Sequence, residues 1–380
     1  MKITRFYCVA LCVAVASVLC GTVANAQSTL NPTWSVQYMI DQSQTVLGNS
    51  QFANPRDNRG LAISPDGRYL YAGYNSGTEV RKIDLTQTDY TQATVARTTV
   101  SRGKAIAVDD LGRVYLAEGN SIKIMDSNLS SVLYTITTGF TCEGVAVTRE
   151  NGRVVVYNTE RGGSNKLTRY ELTEINGAIS ASKRGLTGSG ECIIAGAKDM
   201  RGVAVDAQGR IWIADPFANT NPNGGYVFRI NSDGTGQVTT SGVENPYAIG
   251  FLGDSVLVTG GYRTALSTMN LDGALTGSIA IPWGNLSLQP SNGMISGIAI
   301  SPNGSGFYIT NEGGQTPGEK STYGVVDSQS GYGTDGQFYT DLTHDDNDPI
   351  LFASVPEPSS LIALFSGAAG LCGFALRRRK

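Results

Sequence analysis

Short apolar runs alternate with polar, glycine-containing turns along most of the chain, and the alternation recurs as one phrase. It reads GLAISPDGRYLYA from Gly60 and AIAVDDLGRVYLA from Ala105. It returns as GVAVTRENGRVVVYN from Gly144, GVAVDAQGRIWIAD from Gly202, AIGFLGDSVLVTG from Ala248 and GIAISPNGSGFYITN from Gly297. The starts lie 45, 39, 58, 46 and 49 residues apart. Each phrase predicts a short inner strand, a tight turn and a second strand rich in Tyr, Trp, Val and Ile. The turns carry Asp66-Gly67, Gly112, Asn151-Gly152, Gly209 and Asn303-Gly304, residues that accept positive φ in hairpins. A third strand is predicted at 79–84, 121–125 and 226–230.

Four-stranded units of about 40–50 residues, repeated in series, specify an all-β propeller. Six phrases predict six blades. The segment WSVQYMI from Trp34 is expected as a strand that supplies the outer edge of the last blade and closes the ring. Residues 321–342, rich in Gly and Tyr, either complete that blade or form a partial seventh, the lesser alternative. Small Gly and Ala residues in the inner strands suit sheets that converge on a narrow channel.

The two ends read differently. The start MKITR, an apolar run from Phe6 to Leu19 and Ala24-Asn25-Ala26 make a signal peptide, with signal peptidase expected to cut after Ala26. At the other end Pro356-Glu357-Pro358 leads into an apolar stretch from Leu361 to Leu376, closed by Arg377-Arg378-Arg379-Lys380. That stretch predicts a helix able to cross a bilayer, its cationic end cytoplasmic. The tripartite order resembles the PEP-CTERM sorting signal of Gram-negative bacteria. The resemblance implies recognition by an exosortase, transient inner-membrane anchoring by the C-terminal helix, and a final place outside the cell or on its surface. It also implies an association with exopolysaccharide and biofilm matrix. The expected layout is a signal peptide at 1–26, a propeller at 27–342, an acidic linker at 343–354 and the sorting segment at 355–380.

Composition narrows the chemistry. The chain of 380 residues has 47 glycines, 16% charged residues and a net charge of −3. Without the six basic residues of its two ends and Glu357, the remainder carries about −8, so nucleic acid is not an expected partner. The single histidine, His344, excludes any site built on two imidazoles and places a Ser-His-Asp triad outside the repeats. Cys8, Cys12, Cys20 and Cys372 lie in the ends, leaving Cys142 and Cys192. In an oxidising compartment this pair is expected as a disulfide, with two buried thiols as the alternative.

Repeat phase locates the candidate site. The residues just before each inner strand should form a ring at one end of the channel: Arg59, Lys104, Glu143, Arg201, Tyr247 and Ser296. Those closing the second strands, Gly73, Glu118, Asn158, Asp215, Gly260 and Asn311, should lie beside it. Converging Arg and Lys suit a carboxylate or phosphate ligand, an acidic sugar for example. Alternatively Arg59, Lys104 and Arg201 close an ion network with Glu118, Glu143 and Asp215.

Across roughly 55–315 the phrase resembles NHL repeats and their YVTN and gluconolactonase-like relatives. The last resemblance implies a divalent metal, usually calcium, and matches Glu143, Asn158 and Asp215 as oxygen donors. Arg201, Tyr247 and Ser296 depart from that pattern, and a cation in a metal ring repels the metal. The expectation is a secreted, non-catalytic binding or scaffold propeller without a cofactor. Its expected partner is anionic exopolysaccharide or another matrix protein. The alternative is a calcium-dependent lactonase or esterase.

Overall fold

The computed structural model describes residues 35–40, 58–74, 79–86, 94–101, 103–161, 165–218, 224–260, 265–280, 294–304, 306–312 and 350–354. Strand β1 is Ser35–Ile40. The first blade follows as β2 (Asn58–Ile63), β3 (Tyr69–Tyr74), β4 (Glu79–Asp84) and β5 (Thr94–Thr99). The second comprises β6 (Ala105–Val108), β7 (Val114–Glu118), β8 (Ser121–Met125) and β9 (Val132–Thr137). The third is longer: β10 (Thr141–Glu150), β11 (Arg153–Arg161), β12 (Lys166–Ile175) and β13 (Ala178–Lys183), with β14 (Glu191–Ile193) added on β12. That added strand accounts for the widest spacing between phrases.

The fourth blade contains β15 (Val203–Val205), β16 (Ile211–Asp215), β17 (Gly225–Ile230) and β18 (Val238–Val243). The fifth contains β19 (Pro246–Leu252), β20 (Ser255–Gly260), β21 (Ala265–Asn270) and β22 (Leu275–Ala280). The phrase at Gly297 supplies β23 (Met294–Ile300) and β24 (Gly306–Glu312). Their sheet is completed by β25 (Ile350–Ser354) on β24 and β1 on β25, all antiparallel.

This is a β-propeller, but the expected architecture needs correction. Among the described residues, five blades are wound from consecutive strands. The remaining sheet is a composite of two repeat strands and two strands from distant parts of the chain. It is therefore not a sixth copy of the unit, and no seventh sheet occurs among the described residues. Residues 321–342 lie outside them. Strand β25 falls within the stretch read as an acidic linker. The expected flanking helices are not found: among the described residues the only helical element is a 3-10 turn, Leu186–Gly188. Anchoring by a C-terminal helix is likewise corrected, because no described helix is long and apolar enough to cross a membrane. Residues 1–26 and 355–380 lie outside the described residues.

The core lies between sheets rather than at one centre. Tyr71, Val80, Leu116 and Met125 fill the layer between the first two blades. Tyr115, Val145 and Val156 fill the next, and Tyr157, Ile213 and Phe228 the one after. Trp212, Val227 and Val258 pack between the fourth and fifth blades. Leu61, Leu70, Ala299 and Tyr308 join the composite sheet to the first blade. Aromatics of the second strands thus provide large buried areas to inter-blade layers.

Four of the six inner hairpins are held by side chains at their own first position. Asp109 Oδ1 accepts the Leu111 and Arg113 amides, while its Oδ2 accepts Arg113 Nε at 2.7 Å and Tyr115 OH at 2.9 Å. Asp206 repeats this with the Gln208 and Arg210 amides, Arg210 Nε at 2.7 Å and Trp212 Nε1 at 2.9 Å. The motif D-x-x-G-R-x-aromatic therefore encodes a complete turn, Gly112 and Gly209 sitting at φ 78° and 77°. Ser64 and Ser301 head a second type, in which the hydroxyl donates to Asp66 or Asn303.

Candidate functional site at the channel mouth

Inner strands β2, β6, β10, β15, β19 and β23 neighbour one another in turn, and β23 returns to β2. They enclose a cavity of about 450 Å³ whose walls are mostly Gly, Ala, Val, Leu and Ile. The charged residues of its lining are Arg59, Lys104, Glu143 and Arg201, and Tyr247 and Ser296 join them. The ring predicted from repeat phase thus converges on one cavity, opposite the end that carries the inner hairpins.

Close approach of neighbouring backbones sets this ring. A Cβ on Gly144 would stand 2.1 Å from the Arg201 carbonyl oxygen, and one on Gly202 would stand 2.3 Å from that of Tyr247. At these two positions only glycine lets the inner strand press against the ring residue of the next blade. Thr159 reinforces the first contact, its hydroxyl donating to the Arg201 carbonyl at 2.7 Å.

Glu143 is the hub. Lys104 Nζ donates to its Oε1, and Arg201 Nη1 donates to its Oε2 at 2.7 Å, all three side chains being buried. Arg201 Nη2 reaches Asp199 Oδ2 at 2.8 Å. Arg161, whose side chain is 47% exposed, stands 3.7 Å from both Glu143 and Asp199. The rings of Phe217 and Tyr247 flank the Arg201 guanidinium at 5.6 and 5.8 Å. Phe217 is itself exposed. Arg201 Nε and Asp199 Oδ1 are buried without a hydrogen-bond partner.

Burial pushes the Lys104 amine below the usual lysine range; Glu143 opposes the shift, while Arg201 and Arg59 add to it. Burial also raises the Asp199 carboxyl, against the pull of Arg201 and Arg161.

The two sequence readings of the ring divide here. Glu143 pairs with Lys104 and Arg201 as the network reading requires. Glu118 instead faces Lys123 and accepts the Ser101 amide at 2.6 Å. Asp215 accepts backbone amides of Lys198, Asp199 and Phe217 at 2.6, 3.0 and 3.0 Å. The network is thus centred on one carboxylate rather than three.

The calcium set does not fit these residues. Both Glu143 oxygens face cations, Asp215 holds three amides, and Asn158 is fully buried. Among the described residues no three His, Cys, Asp or Glu side chains group to hold a metal.

The expected disulfide is also corrected, since Cys142 and Cys192 are both free and buried. Cys142 lies in the layer between the second and third blades, with Sγ 3.2 Å from Thr138 Oγ1. Cys192 lies in the layer between the third and fourth, near the Gly234 carbonyl at 3.5 Å. Burial raises the Cys142 thiol to about 11 and shifts Cys192 upward too, which disfavours the thiolate at both.

Arg161, Asp199 and Phe217 escaped the sequence reading. Asp199 precedes Arg201 by two positions, in a bend ahead of β15 that no repeat phrase covers. Arg161 and Phe217 lie just beyond the phrase ends at Asn158 and Asp215.

The PEP-CTERM protein-sorting motif matches residues 354–380. No curated protein matches the chain. Among solved structures it is similar to Kuenenia stuttgartiensis hydrazine synthase, with 15% identity over 70% of this chain and 79% of that one, at a TM-score of 0.51. A nidogen/laminin complex matches at 14% identity over 60% and 81%, with a TM-score of 0.43. At 15% identity the likeness to the hydrazine synthase concerns the fold alone. The chain is thus similar to other proteins in two separate ways: in its propeller, and in a C-terminal PEP-CTERM sorting motif.

Proposed function

We propose that the protein is an exported cell-surface or matrix propeller, sorted through its PEP-CTERM motif and acting as a non-catalytic binding module. Its ligand class is anionic polysaccharide, bound at the channel mouth. One observation carries this reading: the charged residues of the cavity lining are three cations and a single carboxylate. Arg161 adds an exposed guanidinium at the rim, and exposed Phe217 offers a flat apolar face to a sugar ring. Guanidinium groups bind carboxylates in paired hydrogen bonds, which suits a uronic acid. The repeat phrase remains the ground for relating the blades to NHL- and YVTN-type repeats.

Calorimetric titration with polygalacturonate and with neutral dextran tests the reading. Binding is expected for the polyuronate only, weakening as salt rises. Arg161→Gln, a change at an exposed side chain, should weaken it roughly tenfold, in line with one charge-assisted hydrogen bond. Equal affinity for dextran, or no binding at low salt, overturns the proposal.

A further inference from the structure

The register of the composite sheet determines where the sorting motif leaves the domain. Strand β23 carries ring residue Ser296 near its start, at the mouth, and runs to the inner hairpin at 301–304. Strand β24 returns, with Phe307 opposite Ile300 and Glu312 opposite Met294. Strand β25 reverses again: Ile350 pairs with Thr310, near the mouth, and Ser354 pairs with Gly306, beside the hairpin. The strand therefore ends at the hairpin end of the channel. The matched sorting motif begins at residue 354 itself. Strand β1 repeats the placement from the other side, because Ser35 pairs with Ser354 and Ile40 with Ile350.

The hairpin of the composite sheet shares its end with the others. A Cβ on Gly67, in the first-blade turn, would lie 3.6 Å from Pro302. At the opposite end, one on Gly297 would lie 2.9 Å from the carbonyl oxygen of ring residue Arg59. The composite sheet thus joins the first blade at both ends of the channel, and its polarity is that of the repeats.

From this we infer that the sorting motif leaves the propeller at the hairpin end, directly from a strand of the sheet, opposite the charged mouth. A chain held through its motif by the sorting machinery then presents its hairpin end to that machinery, with its mouth turned away and open to ligand. The second consequence rests on the proposed anion-binding role; the exit point does not. Five residues of β25, at about 3.3 Å each, place roughly 15 Å of sheet between the mouth and the exit.

Paired spin labels on the full chain test the exit. Cys8, Cys12, Cys20 and Cys372 are replaced by Ser, while Cys142 and Cys192 stay buried. A label at Ser354→Cys is paired with one at Pro65→Cys, in a hairpin, or at Ser101→Cys, in the mouth-side loop. The distance to position 101 should exceed that to position 65 by about 10 Å, a little less than the height of the sheet. Equal or reversed distances overturn the inference. In a second arm, full chain biotinylated at its C-terminus and captured on avidin should bind polygalacturonate as tightly as free chain, within twofold. Loss of binding on capture alone contradicts the orientation. Loss in both forms, with the label distances as expected, contradicts the ligand and leaves the exit point standing.

Discussion

At the hairpin end of the channel, Asp109 and Asp206 each find all their partners within six residues of sequence. At the mouth, Glu143 binds Lys104 from 39 residues before it and Arg201 from 58 residues after it. Both ends bury carboxylates against cations, yet they serve different purposes. A hairpin carboxylate satisfies its own turn and anchors one aromatic of the same blade. The mouth carboxylate ties three blades together in a cavity whose other charged lining residues are Arg59, Lys104 and Arg201. The hairpin chemistry is repeated wherever the motif recurs, whereas Glu143 has no counterpart in the ring. Local completeness makes a turn, and shared incompleteness makes a candidate site.

Removing the hub should produce the largest effect. Glu143→Gln leaves Lys104 and Arg201 buried without a carboxylate between them, and urea unfolding should show a loss of about 3–5 kcal/mol. Adding Lys104→Met should recover part of that loss, because one of the stranded cations is then gone. A loss under about 1 kcal/mol, the range of an exposed pair, would break the contrast between the ends.

The next effect is Asp206→Ala, which takes the acceptor from buried Trp212 Nε1 and should cost about 2–3 kcal/mol. Combined with Glu143→Gln, it should add to within about 0.5 kcal/mol, since the two ends share no partner. Strong coupling would show that they are not independent. Ser64→Ala should cost only about 1 kcal/mol, because the hydroxyl accepts one amide, that of Tyr69, and its other partner, Asp66, is exposed and turns to water.

The smallest effect is in pH dependence, where the ends differ in sign. Hydrogen bonding from Arg68 holds the Asp84 carboxyl, on the hairpin side, below the usual range. Its contribution is present above about pH 4 and is lost as pH falls toward the depressed folded value. Burial raises Asp199 at the mouth, so its contribution is present below about pH 4 and is lost as pH rises through the raised value. Denaturation midpoints across the acid range should therefore fall less steeply on acidification in Asp84→Asn and more steeply in Asp199→Asn.

The hairpins were legible because their chemistry is contiguous: seven residues from Asp to aromatic contain the turn, its glycine and every bonded group. Ring positions were legible from phase alone, but their pairing was not, because blades meet across intervals that sequence spacing does not reveal. Arg161 and Phe217 fall just past the repeated phrase, and Asp199 follows the added strand β14. The composite sheet was only half visible. WSVQYMI reads as a strand, but ILFAS at 350–354 stands between an acidic run and the sorting motif, which hid its strand character. Cysteine parity suggested a bond, but parity carries no position, and the two thiols lie in different inter-blade layers.

The central claim, that anionic polymer binds at the mouth and not at the hairpins, is tested most directly by amide hydrogen exchange with and without polygalacturonate. Slower exchange is expected at 141–145, 199–203 and 216–218, with no change at 64–68, 109–113 and 206–210. Protection at the hairpins, or none anywhere at saturating polymer, would contradict the account.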